Sequence, residues 1–240
     1  MNCSILLAAE SSGKNDEADW ALSERKKLDE NIQKKCWDGK WFIWAIAEDG
    51  TVYGTQSIEE GQIYFNTQVW SVLSGAATPE QIKTCLESVK EKLATPYGLM
   101  LCAPPFIYAS RDIMSSVVYL PGIKENAGIF NHTQGWGIIA EIMNGNGDRA
   151  YEYCKAALPA AYNTKAEIRQ SEPYVIGQTT YSTYSKRPGN TRVSWLSGAF
   201  LSVFPACPVA HRPESARLRN QVMMSSSVPF LVLLGFCGNS

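Results

Sequence analysis

The 240-residue sequence is poor in metal-binding side chains, since it contains only two histidines and its seven cysteines form no Cys-X-X-Cys pair. A zinc site of ordinary ligand spacing is therefore not expected, and we predict no metal or organic cofactor. An odd number of cysteines cannot all pair within one chain, and most of these lie in apolar or helical contexts. We expect buried, reduced thiols and a cytoplasmic protein.

The sequence also lacks an excess of charge of one sign and a long hydrophobic run. Its 22 Lys and Arg residues nearly balance 23 Asp and Glu residues, for a net charge of -1. This balance gives no reason to expect nucleic acid or an anionic membrane as a partner. The apolar run at residues 228–237 is about half of the roughly 20 residues that a membrane helix needs. The first residues have no basic segment and do not resemble a secretory signal.

The composition is that of a folded protein, with 45% hydrophobic and 19% charged residues. Aromatic residues make up 11% of the chain and include 7 Trp and 11 Tyr. Such rings can fill a core or form flat platforms for sugar rings, and composition alone does not decide between these roles.

Hydrophobic periodicity predicts a mostly α-helical protein with functional loops between antiparallel helices. The first helix carries an apolar stripe of Trp20, Leu28 and Ile32, and Thr78 is the expected N-cap of the third. Turn pairs at 38–39 and 49–50 predict a short hairpin, or an extended excursion between helices, within residues 37–54. No βαβ pattern and no GxGxxG motif is present. The predicted helices span 16–35, 67–75, 79–93, 133–143, 148–158 and 194–204, and irregular connections span 95–131 and 159–192.

Three polar clusters are candidates for chemistry. The segment 121–136 places a cation, a carboxylate, an amide and an imidazole ahead of an apolar helix, although from composition alone a solvated ion pair and a helix cap are the more common explanation. Ser197 and Gly198 lie at the start of a predicted helix, where a hydroxyl and free backbone N–H groups suit an anion such as phosphate. The third cluster runs from Glu172 to Gln178, and its plain interpretation is a polar loop.

Six short segments follow one another along the chain: WDGKW at 37–41, EEGQIYFNTQVW at 59–70, KENAGIFNH at 124–132, GNGDRAY at 145–151, SEPYV at 171–175 and SWLSG at 194–198. In this order they resemble the C-terminal half of the catalytic domain of the inverting glycoside phosphorylases of glycoside hydrolase family 94. Cellobiose, chitobiose and cellobionic acid phosphorylases are members of that family. The resemblance extends over residues 16–204.

The resemblance implies a partial (α/α)6 barrel, a helical toroid, that phosphorolyses a β-linked disaccharide to an α-sugar 1-phosphate and a free acceptor sugar. Inorganic phosphate is already an anionic nucleophile, so a cradle of donors replaces the base of an inverting hydrolase. By the motif match, His132, Ser197 and Gly198 bind phosphate. Glu125 and Gln178 bind the sugars. The expected partners are the disaccharide and inorganic phosphate, and a homodimer is also in keeping with the family.

The chain also departs from the family pattern. The family's general acid is an aspartate in an Asp-Trp-Asn-Asp type motif upstream of the matched part, so we expect a truncated copy without it. The nearest similar residue, Asp19, is interpreted as a solvated helix residue. We expect Trp136 and Trp195 to be packing residues. Residues 1–15 remain unassigned, 16–204 form the catalytic-domain fragment, and 205–240 form an unrelated tail that is expected to be irregular.

Two other functions remain open at this point. One is a catalytically inactive fragment or pseudoenzyme that keeps part of a phosphate and sugar site. The other is a glycoside hydrolase in which Glu125 and Glu172 act as two carboxylates, which requires the pair to lie about 5–9.5 Å apart.

Overall fold

A computed structural model describes residue 9 and residues 11–109, 118–172 and 175–192. Within these ranges no helix combines the length and apolarity that crossing a membrane requires. The protein is mostly α-helical, as predicted. Its helices are α1 Asn15–Lys35, α2 Phe65–Leu73, α3 Pro79–Leu93, α4 Asn131–Met143, α5 Gly147–Ala157 and α6 Ala166–Arg169, with a 3₁₀ helix at Pro159–Lys165.

Short antiparallel strands connect the helices. Each strand is two residues long: β1 Ala45–Ile46, β2 Val52–Tyr53, β3 Ile63–Tyr64, β4 Ala94–Thr95, β5 Gly98–Leu99, β6 Cys102–Ala103, β7 Ile129–Phe130, β8 Thr179–Thr180 and β9 Thr191–Arg192. Strands β1 and β2 form the predicted hairpin, β3 pairs with β6, β4 pairs with β5, and β7, β8 and β9 form a three-stranded sheet.

The main core lies between two pairs of helices. Helix α2 packs against α3 and α4, and α4 packs against α5. Short connections join α2 to α3 and α4 to α5, which is the pattern of antiparallel helical hairpins. The buried apolar side chains of this core include Phe65, Val69, Val72, Leu86, Val89, Leu93, Leu99, Ile129 and Ile138.

Helix α3 follows the sequence prediction closely. Thr78 accepts a hydrogen bond from the backbone N–H of Gln81, and the Gln81 side chain accepts one from the N–H of Thr78. This capping box, together with Pro79 at the first turn, satisfies backbone donors that would otherwise lack partners. Of the predicted buried face, Leu86, Val89 and Leu93 are buried, and Ile82 packs partly buried against the core.

Helices α2 and α4 begin with a repeated pattern, TQVW at 67–70 and TQGW at 133–136. The fully buried Gln68 side chain binds both the N–H and the carbonyl of Phe42. Gln134, also fully buried, binds the N–H and the carbonyl of Leu99 in the same way. Each glutamine therefore acts as a backbone partner for an extended segment and fixes that segment against the first turn of a helix.

Parts of the prediction need correction. The apolar stripe of α1 is not its buried face, because Trp20 is 61% and Leu28 53% exposed while Ala18 and Ala21 are buried. Helix α1 instead makes polar contacts, such as Gln33 with the carbonyl of Ala76. The connection at 159–192, predicted to be irregular, contains the 3₁₀ helix, α6, β8 and β9. The predicted helix at 194–204, the unassigned residues 1–8 and the tail at 205–240 lie outside the described residues.

Candidate functional site

The loop at 121–128 is held in one conformation by its backbone. Lys124 and Ala127 adopt left-handed conformations with φ of 49° and 59°. The buried Asn126 side chain accepts from the N–H of Phe106 and donates to the carbonyls of Phe106 and Tyr119. A Cβ atom at Gly128 would lie 2.4 Å from the Lys124 nitrogen, so glycine is required where the loop closes on itself.

Glu125 is half-buried on this loop. Its carbonyl oxygen accepts a hydrogen bond from the Cys102 Sγ at 3.6 Å, which joins the loop to strand β6. Among the described residues its buried carboxylate oxygen Oε2 has no hydrogen-bond partner. The neighbouring Lys124 places its Nζ 5.2 Å from the centre of the Tyr119 ring.

His132 is the second residue of α4 and is half-buried between two aromatic rings. Its imidazole makes edge contacts with Phe130 and Trp136, each with ring centres 5.5 Å apart. Loss of hydration lowers the pKa of His132 below its ordinary value of 6.5. The side chain is therefore neutral at pH 7 and offers one N–H donor and one acceptor. Trp136 packs against the main core, as predicted.

Gln178 lies directly beside the start of α4. The N–H of Asn131 donates to the Gln178 carbonyl at 3.0 Å, and the Asn131 side chain donates to the Gly177 carbonyl at 2.8 Å. Thr180 donates to the Asn131 side-chain oxygen at 3.2 Å. The buried Oε1 of Gln178 has no hydrogen-bond partner within the described part of the chain. The loop before β8 and the first turn of α4 thus form one unit that carries both His132 and Gln178.

The structure therefore brings together two of the predicted loops, the one that carries His132 and the one that carries Gln178. Glu125 precedes β7, which leads directly into α4, so its loop adjoins this unit through the chain. Ser197 and Gly198 lie outside the described residues, as does Trp195. Glu172 and Asp19 are exposed, and Asp19 lies on α1, as predicted.

Sequence reasoning missed the residue that links the two loops. Asn131 is almost completely buried, and its side chain makes two of the bonds that fix Gln178 beside α4. The repeated TQ-X-W pattern was the available signal, because it marks the first turns of α2 and α4 as equivalent places in two helical hairpins. The repeat singles out Asn66 and His132, which precede the Thr-Gln pairs, but Asn131 stands opposite Phe65, so its linking role is visible only in the fold.

Comparison with known proteins agrees with this arrangement of motifs. Residues 4–209 match the profile described as the glycosyl hydrolase 94 superfamily, catalytic domain. A solabiose phosphorylase from Paenibacillus borealis is 30% identical over 172 residues, which cover 72% of this chain and 22% of the relative. An N,N'-diacetylchitobiose phosphorylase from Vibrio proteolyticus is 34% identical over 174 residues, 70% of this chain and 22% of that protein.

A third relative is a cellobionic acid phosphorylase from Neurospora crassa, 37% identical over 142 residues, which cover 58% of this chain and 18% of the relative. The chain thus spans about a fifth of the length of the curated relatives that it matches. The profile match contains the whole range 16–204 from which the resemblance was drawn. The chain belongs to glycosyl hydrolase family 94.

Proposed function

We propose that this chain contributes the phosphate cradle and part of the sugar site of an inverting phosphorylase that acts on a β-linked disaccharide of the cellobiose, chitobiose or cellobionic acid type. In this proposal residues 16–204 form part of an (α/α)6 barrel. Two helical hairpins, α2–α3 and α4–α5, that pack side by side and begin with the same TQ-X-W pattern support that architecture.

The observation that carries the proposal is the junction of His132 and Gln178 through Asn131. A phosphorylase must hold phosphate in contact with a pyranose ring. The donor that binds phosphate and the amide that binds the sugar are therefore needed within one rigid unit. The hydrogen bonds of Asn131 to Gly177, Gln178 and Thr180 provide that rigidity between segments 46 to 49 residues apart in sequence.

The sugar side of the proposal rests on two buried acceptor atoms. Glu125 Oε2 and Gln178 Oε1 are buried and without a partner among the described residues. Leaving a buried acceptor unpaired costs about 1–3 kcal/mol, so such atoms call for a donor. The hydroxyl groups of a sugar are donors of this kind, and a substrate without hydroxyl groups would leave both oxygens unpaired.

The phosphate side is assigned to His132, the Ser197 hydroxyl and the Gly198 backbone N–H. The neutral imidazole of His132 donates one hydrogen bond to a phosphate oxygen. Another phosphate oxygen then attacks the anomeric carbon from the face opposite the leaving group, so the configuration inverts. The glycosidic C–O bond breaks, and the departing oxygen takes up a proton. The acid that supplies this proton is not one of the proposed site residues, which are His132, Ser197, Gly198, Glu125 and Gln178.

Turnover assays test the proposal with two substrates. With cellobiose, departure of the acceptor sugar requires an acid. With 4-nitrophenyl β-glucoside, the leaving group departs as a stable phenolate and needs no proton, so this assay does not depend on an acid. We expect glucose 1-phosphate and nitrophenolate to form in proportion to added phosphate, and His132→Ala to abolish this release.

The matched control is Asp19→Asn, an exposed change on α1 that should leave the rate unchanged. Release of nitrophenolate at the same rate with and without phosphate would indicate hydrolysis and overturn the phosphorylase assignment. Full activity of His132→Ala would remove His132 from the cradle.

A further inference from the structure

An aromatic stack lies on the hairpin of β1 and β2, beside the proposed sugar-binding loop. The Trp44 indole stacks on the Tyr64 ring with centres 4.4 Å apart and planes within 9° of parallel. Tyr53 makes an edge contact with Trp44 at 6.4 Å. Tyr64 is only 4% exposed, whereas Trp44 is 41% exposed. The stack thus has a buried base and an open outer ring.

The backbone fixes the position of the outer ring. The N–H of Trp44 donates to the Tyr53 carbonyl at 2.8 Å. At Gly54, where φ is +77°, a Cβ atom would lie 2.6 Å from the Trp44 nitrogen and 2.7 Å from its Cβ. Any larger residue at this position would displace Trp44, so the close approach depends on glycine. A flat aromatic ring that its backbone fixes at the surface offers a contact for a ligand with an apolar face.

The stack is joined to the loop of Glu125 by two contacts. Tyr64 pairs across the β3–β6 ladder with Cys102. Cys102 in turn donates through Sγ to the Glu125 carbonyl. Phe106 packs in the same small cluster as Tyr64 and Cys102, with Tyr53 against it. The open indole is therefore linked to the loop of Glu125 through Tyr64 and Cys102.

We infer that the exposed surface of Trp44 is a stacking subsite for a pyranose ring of the sugar substrate. This inference rests on the proposed function and deepens it, because it adds a sugar contact outside the residues that the motifs identified. A β-glucopyranose carries its hydroxyl groups around the edge of the ring, so each face presents C–H bonds. Such a face packs on a flat aromatic ring while the hydroxyl groups stay hydrated.

Calorimetric titration of the full chain with cellobiose tests the inference. We expect Trp44→Ala to weaken binding about 3- to 10-fold, the range expected for an aromatic contact. Trp44→Leu keeps an apolar contact with Tyr64 but removes the flat ring, so it should lose as much affinity. Trp44→Phe keeps a smaller ring and should retain most of it. Trp20→Ala, which removes an exposed indole from α1, is the control and should bind like the parent.

Sorbitol, an acyclic polyol without a ring face, should give no Trp44-dependent heat. Equal cellobiose affinity of the parent, Trp44→Ala and Trp44→Leu overturns the inference, and so does an absence of cellobiose binding by the parent. The proposed reaction is judged separately by the phosphate-dependent release of nitrophenolate. If the parent binds cellobiose through Trp44 but shows no phosphate-dependent release of nitrophenolate, the proposed reaction is rejected and the stacking subsite is retained.

Discussion

His132 occupies a place that disfavours its charged form. The ring lies between Phe130 and Trp136, and the resulting loss of hydration lowers its pKa. An uncharged histidine binds phosphate through its N–H donor and, with its lowered pKa, is a weaker base than an ordinary histidine. At the scale of single residues, the candidate site thus combines a neutral donor, His132, with the two buried acceptors of Glu125 and Gln178.

The depressed pKa predicts a pH-dependent stability. The unfolded histidine has a pKa near 6.5 and the folded one titrates lower, so between the two values the unfolded chain binds more protons. The free energy of unfolding of the parent should therefore fall as the pH drops from 7 to 5. His132→Gln lacks this titration and should lose less stability over the same range, as measured by urea denaturation. Parallel pH profiles of the two proteins would contradict the assignment.

At the scale of single elements, two helices are joined to extended segments by glutamine side chains, which bond to backbone groups as another strand would. Gln68 and Gln134 each satisfy an N–H and a carbonyl of an extended segment and also donate to the carbonyl at the start of their own helix. Leu99 lies on β5, yet its N–H and carbonyl bond to a side chain, as those of Phe42 do, so the glutamines dock both segments onto α2 and α4.

Gln68→Ala and Gln134→Ala should each destabilise the protein by about 2–4 kcal/mol, because each leaves buried backbone groups without partners. Gln62→Ala removes a partly buried glutamine with a single bond to the Ile58 carbonyl and should cost less than about 1 kcal/mol. Chemical denaturation measures all three. Since only Gln134 adjoins His132, its variant alone should also weaken phosphate binding. A small cost for both buried glutamines would refute their role as backbone partners.

At the scale of the whole molecule, a partly buried ionic cluster ties three helices together. Arg149 on α5 lies 3.5 Å from Glu141 on α4 and 2.8 Å from Glu87 on α3. Glu141 is completely buried, and loss of hydration raises its pKa, while Asn146 donates a hydrogen bond to it. The cation thus compensates a carboxylate that has no access to water.

Arg149→Met should destabilise the protein by about 3–5 kcal/mol, since it leaves Glu141 buried without its cation. Lys90→Met removes an exposed partner of Glu87 at 3.7 Å and should cost less than about 1 kcal/mol. Adding Glu141→Gln to Arg149→Met should recover part of the loss. Thermal and urea unfolding would show this, and a double variant no more stable than Arg149→Met would argue against charge burial as the cause.

The sequence predicted much of this architecture where local signals are strong. Thr78 and Pro79 begin α3, and the turn pairs at 38–39 and 49–50 form the expected hairpin region. Long-range pairing was not predictable in the same way: strands of two residues carry no period, and the clamp of Asn131 on Gly177 depends on residues 46 apart. In α1 the local pattern is strong, yet its apolar stripe is exposed. Periodicity identifies an apolar face and does not show whether another part of the chain covers it.

The central claim is that separate loops of this chain bind one phosphate, and calorimetric titration with inorganic phosphate tests it most directly. We expect the parent to bind phosphate and both His132→Ala and Ser197→Ala to bind it about 10-fold or more weakly, because each loses a hydrogen bond to a charged group. Asp19→Asn should bind phosphate like the parent. A parent that does not bind phosphate, or His132→Ala and Ser197→Ala variants that bind it with unchanged affinity, would contradict the account.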